Sequence, residues 1–139
     1  MTQSMAQTMA QQTGTSIEEF VREAYEAMEA LDVTRVATML AADMQAVDGV
    51  MRTWKRGLGE IGAHLATLES SLTDEVSEIR DMGIREYGDT AVATYVVEQR
   101  YTFAGKRHED IAPTTMVLRR IDGSWKIALF HSVPLAPES

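Results

Sequence analysis

The stretch that decides the fold runs from Thr114 to Ser132 and has the sequence TTMVLRRIDGSWKIALFHS. Two runs rich in apolar and β-branched residues flank Asp122-Gly123, a dipeptide typical of two-residue turns between antiparallel strands. The pattern therefore predicts a β-hairpin whose second strand ends at His131. No complete catalytic motif accompanies it, so this stretch indicates a fold and leaves the reaction open.

Upstream of the hairpin, apolar residues also recur with a period of two, which is typical of strands with one buried face. The predicted strands are Val76–Glu86, Thr90–Phe103 and the run from Glu109 into the hairpin. Gly88-Asp89 and Ala104-Gly105-Lys106 provide short turns between them. Because strands joined by such short turns pair antiparallel, the sequence predicts an antiparallel meander.

The first half of the chain carries helical patterns instead. Ser16-Ile17-Glu18-Glu19 is a capping box that predicts a helix start, and apolar residues then recur at three- and four-residue steps as far as Leu31. Asp32 is expected to cap a second, shorter helix over Val33–Ala41. A third helix is predicted after the turn Arg56-Gly57-Leu58-Gly59.

The order of these elements indicates the fold class. Met44–Lys55 is predicted to be extended with an interruption at Asp48-Gly49, and the remaining strands follow the third helix. The expected class is α+β, with three N-terminal helices packed on one face of a strongly curved antiparallel sheet. A chain of 139 residues fits one domain, so we expect a disordered tail over residues 1–15 and a single domain over residues 16–139.

Composition excludes several classes of partner. Asp and Glu outnumber Lys and Arg by 21 to 13, and the resulting net charge of −8 argues against nucleic acid and anionic membrane surfaces as partners. No apolar run has the ~20 residues that a membrane span needs. The chain has no cysteine, which rules out disulfides and thiolate chemistry and suits a cytoplasmic location.

The chain resembles the nuclear transport factor 2-like (NTF2-like) superfamily, especially its SnoaL-like and ketosteroid-isomerase-like branches. The resemblance covers Ser16 to Pro134 and is carried by the element order and by a few short motifs. These motifs are Leu31-Asp32-Val33, Leu40-Ala41-Ala42-Asp43, Gly57-Leu58-Gly59-Glu60-Ile61 and the segment from Val117 to Ser132. It implies a cone-shaped domain with an apolar pocket for a small molecule at its wide end, and pairing of two copies through the exposed sheet face.

In the ketosteroid-isomerase-like branch, a carboxylate base acts with a tyrosine and a protonated aspartic acid that stabilise the substrate oxygen. Ungapped comparison places Asp48 at the position of the base. The tyrosine position falls on Ala24, next to Tyr25, and Thr115 stands where the carboxylic acid would be. The alternative for Asp48 is structural, because an Asp before Gly commonly binds its own backbone in a turn.

The three histidines differ in their predicted surroundings. His64 lies on the buried stripe of the third helix, either as a core residue satisfied by a hydrogen bond or as a proton partner of Asp48. His131 is expected to share its strand face with Trp125, Ile127 and Leu129 and to border the pocket. His108 belongs to a charged hairpin flank and is expected to be solvated.

Aromatic side chains are the other candidates for ligand contact, although the strand aromatics are core residues by default. The candidate pocket residues are Tyr25, Trp54, Tyr95, Tyr101, Thr115 and Trp125. The histidines have no paired spacing and no glycine-rich phosphate loop is present, so we expect neither a metal site nor a cofactor. The second face of the Thr90–Phe103 strand contains Val92 and Val96, which favours a homodimer through the sheet.

Two functions remain open at this stage. In one, the protein is a cofactor-free isomerase, cyclase or dehydratase that acts on a small apolar carbonyl compound, with Asp48 as base and His64 or His131 as its partner. In the other, the same fold is a non-catalytic module for ligand binding or dimerisation. A decisive feature would be whether Asp48 and a histidine face one closed apolar cavity.

Overall fold

The structure is a computed structural model that describes residues 17–136. Within this range the chain forms three helices and a sheet of six strands. The predicted tail over residues 1–15 and the predicted cap at Ser16 lie outside the described residues. No helix in the described range is long and apolar enough to cross a membrane.

The helices follow the predicted order, with corrections at the second and the third. The third helix begins at Gly57, within the segment predicted to be the turn before it. Helix α1 covers residues 17–29, α2 covers Val33–Thr38 and α3 covers Gly57–Ser71. Asp32 caps α2 as predicted, since its side chain accepts a hydrogen bond from the backbone N–H of Arg35 at 3.2 Å. Helix α2 ends before Ala41, where the prediction placed its end, because strand β1 begins at Leu40.

The strands form a sheet with the spatial order β2-β1-β6-β5-β4-β3. Their bounds are β1 Leu40–Val47, β2 Lys55–Arg56, β3 Leu72–Tyr87, β4 Thr90–Phe103, β5 Lys106–Ile121 and β6 Ser124–Ser132. Strands β3 to β6 form the predicted antiparallel meander. One pairing differs from the expected all-antiparallel sheet, because β1 runs parallel to β6.

The predicted hairpin at the end of the chain is present. Ile121 pairs with Ser124 across the two-residue loop Asp122-Gly123, and both loop residues have positive φ, at 51° and 80°. A two-residue loop with two positive φ angles has the backbone twist that matches the twist of paired strands. The Asp-Gly pair tolerates this conformation, which explains why it identified the hairpin from the sequence alone.

The core lies between the inner face of the sheet and the helices α1 and α3. Strand β4 alternates as predicted, and its inward residues are almost completely buried. These residues are Ala91, Ala93, Tyr95, Val97 and Tyr101. Ile17 and Val21 of α1 and Leu65 of α3 cover them from the helical side.

Three β-bulges change which side chains face inward. In β3, Asp74 and Glu75 together lie opposite Tyr101, and Asp81 and Met82 lie opposite Tyr95. Asp74 and Asp81 take left-handed backbone conformations, with φ of 52° and 59°. In β6, the register with β5 shifts at Ala128. Because each bulge adds one residue to a strand, the alternation of inward and outward side chains reverses beyond it.

Candidate functional site

A cavity of about 150 Å³ lies between α1, α3 and the inner face of the sheet. Most of its lining is apolar and rich in methionine, with Met28, Met44, Leu65, Leu68, Met116 and Phe130 among the lining residues. The turn after β1 and Pro134 form part of its boundary. Gly49 allows their close approach, because a Cβ atom there would lie 2.6 Å from Cγ of Pro134.

Asp48 follows β1 directly and lines the cavity. Its Oδ1 accepts hydrogen bonds from the backbone N–H groups of Val50 at 2.9 Å and Met51 at 2.8 Å. The structural role anticipated for this residue is therefore present. Since both bonds go to Oδ1, the carboxylate is held in a defined orientation, and Oδ2 has no hydrogen bond from any residue between 17 and 136.

His64 lies on the buried face of α3 and also lines the cavity. Its Nε2 is buried and has no hydrogen-bond partner among the described residues. Burial lowers the pKa of His64, the negative charge of Asp48 opposes this shift, and the positive charge of Lys55 adds to it. The imidazole is therefore neutral at pH 7, and one of its polar atoms is buried without a partner among the described residues.

Glu75 is a cavity residue that the sequence analysis did not identify. The bulge opposite Tyr101 turns it inward, while the next residue, Val76, is 49% exposed on the outer face. Its Oε2 is buried and has no hydrogen-bond partner within residues 17–136, and its Oε1 is 3.4 Å from Oγ of Ser77. Burial, and then the charges of Glu29 and Asp48, raise the pKa of Glu75 to about 7, against the effect of the Ser77 contact.

Two tyrosines form a hydroxyl pair beside the cavity. The hydroxyl groups of Tyr25 and Tyr95 are 3.0 Å apart, and their rings meet edge to face with centroids 5.8 Å apart. Tyr25 lines the cavity, whereas Tyr95 is not one of its lining residues. Burial raises the pKa of both phenols, so both hydroxyl groups stay protonated. One of them donates to the other, which leaves one O–H to donate elsewhere.

Tyr101 closes another part of the lining. Its hydroxyl donates a hydrogen bond to Oδ2 of Asp110 at 3.2 Å, and its ring stacks on His108 with centroids 5.0 Å apart. His108 is thus partly covered, where the sequence analysis expected it to be solvated. Burial, followed by the charge of Asp110, raises the pKa of Tyr101.

The remaining sequence-predicted site residues do not line this cavity. His131 is exposed and stacks on Trp54, with centroids 5.7 Å apart, and the guanidinium of Arg56 lies 5.8 Å from the Trp54 ring centroid.

Thr115 pairs with His131 across β5 and β6. Trp125 packs against the core edge beneath the guanidinium of Arg120, which is 4.5 Å from its ring centroid.

The bulge at Ala128 explains the position of His131. Strict alternation along β6 would put His131 on the same face as Ile127, and this was the expectation. In the structure Ile127 and Ser132 are buried on the cavity side, and the extra residue between Ile127 and Leu129 reverses the order. The expectation that His131 shares a face with Ile127 and Trp125 was therefore wrong.

The lining contains acidic but no basic Lys or Arg side chains among the described residues. Asp48, Glu75 and Asp110 contribute carboxyl groups, whereas neither Lys nor Arg is among the lining residues of the described chain. No group of three or more residues in the described range has the side chains and geometry to hold a metal ion. The arrangement can bind a mainly apolar molecule, donate hydrogen bonds to it and exchange protons with it.

Comparisons with known proteins agree on the fold. A family model described as a SnoaL-like domain matches residues 17–136. No curated protein matches the chain. Many solved structures resemble it, and the three described next are 16–22% identical to it, so their likeness concerns the fold.

These three solved structures carry different functional descriptions. A candidate dehydratase of the NTF2-like family from Streptomyces avermitilis has a TM-score of 0.76 and 22% identity, covering 95% of this chain and 99% of that one. An NTF2-like protein from Cytophaga hutchinsonii has a TM-score of 0.77 and 16% identity, with coverages of 87% and 97%. A candidate calcium/calmodulin-dependent protein kinase II association domain from Xanthomonas campestris has a TM-score of 0.75 and 21% identity, with coverages of 89% and 88%.

Proposed function

The chain belongs to the SnoaL-like domain family of the NTF2-like superfamily, and on this basis we propose that its cavity binds a small, largely apolar carbonyl compound and transfers a proton on it without a cofactor. The observation that carries the proposal is the meeting of an oriented carboxylate, Asp48, and a neutral imidazole, His64, at one apolar cavity. The presence of a base and a second protonatable group at the same cavity is the requirement for acid–base catalysis.

The size of the cavity limits the ligand. An engineered apolar cavity of about 150 Å³ in another protein, T4 lysozyme, binds benzene. The cavity here has a similar volume, so a ligand with a single six-membered ring fits without rearrangement of the lining. Cyclohexanone has this size, one carbonyl oxygen and acidic protons on the adjacent carbons, which makes it a suitable probe.

In the proposed reaction Asp48 is the base. Its Oδ2 removes a proton from the carbon next to the carbonyl group, the C–H electron pair moves toward the carbonyl oxygen, and the proton later returns to carbon. His64 orients the substrate or relays the proton through Nε2. The net result is proton exchange or isomerisation, which requires no oxidant and no second substrate.

Hydrogen–deuterium exchange on cyclohexanone tests this function. In D₂O, ¹H NMR measures the loss of the signals of protons next to the carbonyl group, with wild-type protein, with Asp48→Asn and with Asp43→Asn. The Asp48→Asn variant keeps a side-chain oxygen that can accept the two amide hydrogen bonds, so the turn is retained while the base is lost. Asp43 is a matched control, because it lies exposed on β1, the strand that Asp48 follows, in an ion pair with Arg119.

We expect wild-type protein and Asp43→Asn to accelerate exchange above the buffer rate. We expect Asp48→Asn to lose at least about 100-fold of that acceleration, which is the usual contribution of a general base. Equal rates for Asp48→Asn and wild type would remove Asp48 from the mechanism.

A second candidate function is binding without turnover. It is favoured by the two amide hydrogen bonds to Asp48, which give this residue a sufficient structural role. The same NMR samples distinguish the two candidates: changes in protein chemical shifts on addition of cyclohexanone, with exchange at the buffer rate, would support the binding module.

The quaternary structure forms part of the proposal. The outer face of the sheet carries a row of partly exposed apolar side chains that pair across three strands, Val92, Val117 and Leu129. We propose that two copies associate through this face, and that the domain has the cone shape implied by the superfamily. A cytoplasmic location stays a prediction from composition.

A further inference from the structure

The position of Glu75 is set by a specific irregularity of the backbone. Leu72 is buried on the inner face of β3, and strict alternation from it would make Asp74 and Val76 inward residues. The bulge at Asp74 reverses this order, so the longer side chain of Glu75 points into the cavity. Bulges beside cavities commonly redirect a side chain in this way.

The chemistry of this carboxyl group is unusual for a buried site. Oε2 is buried and has no hydrogen-bond partner among the described residues, and Oε1 has only a long contact with Ser77. No Lys or Arg of the described chain lines the cavity to pair with an ionised carboxylate. A buried polar atom without a partner costs free energy, and a neutral carboxylic acid lowers that cost by removing the charge while keeping one O–H donor.

A second residue of the lining, His64, also has a buried polar atom, Nε2, without a partner among the described residues. Two residues with such atoms in the lining of one apolar space indicate that the occupant has a polar end as well as an apolar body. The carboxyl groups of Asp48 and Asp110 at the same lining disfavour an anionic occupant by repulsion.

We propose that Glu75 is a neutral hydrogen-bond donor to the carbonyl oxygen of the ligand and acts as the acid opposite Asp48. This inference rests on the proposed function and adds a catalytic residue and a ligand class to it, uncharged compounds with an acceptor oxygen. When Asp48 removes the proton from carbon, Glu75 donates to the oxygen on which negative charge develops. When the C–H bond forms again, the oxygen returns the shared proton to Glu75, so no net charge or electron is gained.

The donor role of Glu75 requires its proton, so ligand binding will depend on pH. The titratable groups that face Glu75 or act on it are Tyr25 and Glu29 from α1, Asp48 after β1, His64 from α3, Tyr101 from β4 and Asp110 from β5. The tyrosines titrate far above neutrality because burial raises their pKa. Burial lowers the pKa of His64, so its ring is neutral over most of the range in which Glu75 loses its proton.

The experiment measures the dissociation constant of cyclohexanone by NMR titration at about pH 6 and about pH 8. For wild type we expect binding to weaken roughly tenfold between these two pH values. Ionised Glu75 has no proton to donate, so its hydrogen bond to the ligand oxygen is replaced by a contact between two acceptors. Glu75→Gln keeps an N–H donor at every pH, so its binding should be independent of pH. Glu29→Gln keeps the acceptor for the Ser77 N–H but removes a nearby charge, so the transition should move to lower pH.

Two further measurements check the protonation state of Glu75 and the charge preference of the site independently. The infrared band of a protonated carboxylic acid should be present in wild type near pH 6 and absent in Glu75→Gln. Cyclohexanecarboxylate, which shares the ring of cyclohexanone, should bind at least about tenfold more weakly than cyclohexanone near pH 6.

The outcomes separate the two proposals. If wild type does not bind cyclohexanone, the proposed function fails and this inference fails with it. If wild type binds but Glu75→Gln shows the same dependence on pH, or if the infrared band is missing, only the inference about Glu75 is overturned.

Discussion

At the scale of single residues, Glu75 should leave a signature in stability. Its pKa in the folded protein is raised from 4.5 to about 7, so the native state keeps a proton that the unfolded state releases between these values. The unfolding free energy contributed by this residue is therefore highest below about pH 4.5 and falls as pH rises toward 7. Removing the ionisable group should remove this decline.

The measurement is urea unfolding of wild type and Glu75→Gln at about pH 5 and about pH 8. The difference between the two proteins should change in favour of Glu75→Gln by up to about 3 kcal/mol over this interval, because the pKa of Glu75 is raised from 4.5 to about 7 in the folded protein. Unfolding curves that shift in parallel with pH would show that Glu75 ionises normally in the folded state.

The close contact between Gly49 and Pro134 gives a second prediction at the scale of single residues. A Cβ atom at Gly49 would lie 2.6 Å from Cγ of Pro134, so Gly49→Ala must displace the proline that borders the cavity. We expect a loss of about 1–3 kcal/mol in unfolding free energy, as for other overpacked positions. The matched control is Gly62→Ala within α3, where no atom lies within 4 Å, and helix propensity predicts a gain of about 0.5–1 kcal/mol. A neutral Gly49→Ala would show that the turn and the proline are not in firm contact.

At the scale of elements, the loop between β4 and β5 has a residue that is unfavourable for its backbone conformation, Ala104. Phe103 pairs with Lys106 across Ala104-Gly105, and Ala104 has a φ of 50°, a conformation that Asn tolerates better than Ala. Ala104→Asn should therefore stabilise the protein by roughly 0.5–1 kcal/mol in thermal or urea unfolding. Ala104→Val should destabilise it, because a β-branched residue is strained at positive φ. The side chain is exposed, so a loss of stability in Ala104→Asn would contradict the argument from backbone conformation.

The elements also show what the sequence could and could not predict. Strand β4 and the Asp122-Gly123 hairpin were predictable, because an unbroken period of two and a specific turn dipeptide are local properties. The bulges at Asp74 and Ala128 were not, since a single added residue leaves no periodic trace on either side. For this reason Glu75 was missed and His131 was assigned to the wrong face. The early end of α2 has a tertiary cause, because β1 forms by pairing with the distant strand β6.

At the scale of the whole molecule, the outer face of the sheet gives a prediction about assembly. Val117 lies between Val92 and Leu129 in the apolar row. If two copies meet there, Val117→Glu will introduce a charge into the contact and favour the monomer. Val133→Glu is the control, because Val133 is 43% exposed beyond the end of β6.

Sedimentation equilibrium or light scattering coupled to size exclusion measures the outcome. We expect a dimer for wild type and Val133→Glu and a monomer for Val117→Glu, with unchanged circular dichroism in all three. A wild-type monomer, or a dimer that survives the Val117→Glu substitution, would exclude this face as the contact.

The parallel contact of β1 with β6 has a consequence for biosynthesis. During translation the N-terminal part leaves the ribosome first, yet apart from the two-residue partner β2, strand β1 finds its neighbour only when residues 124–132 have been made. Until then both the nascent sheet and the methionine-rich interior remain open to chaperones and to other chains. Closure of the domain therefore waits for β6, and we expect a chain that stops before β6 to be prone to aggregation.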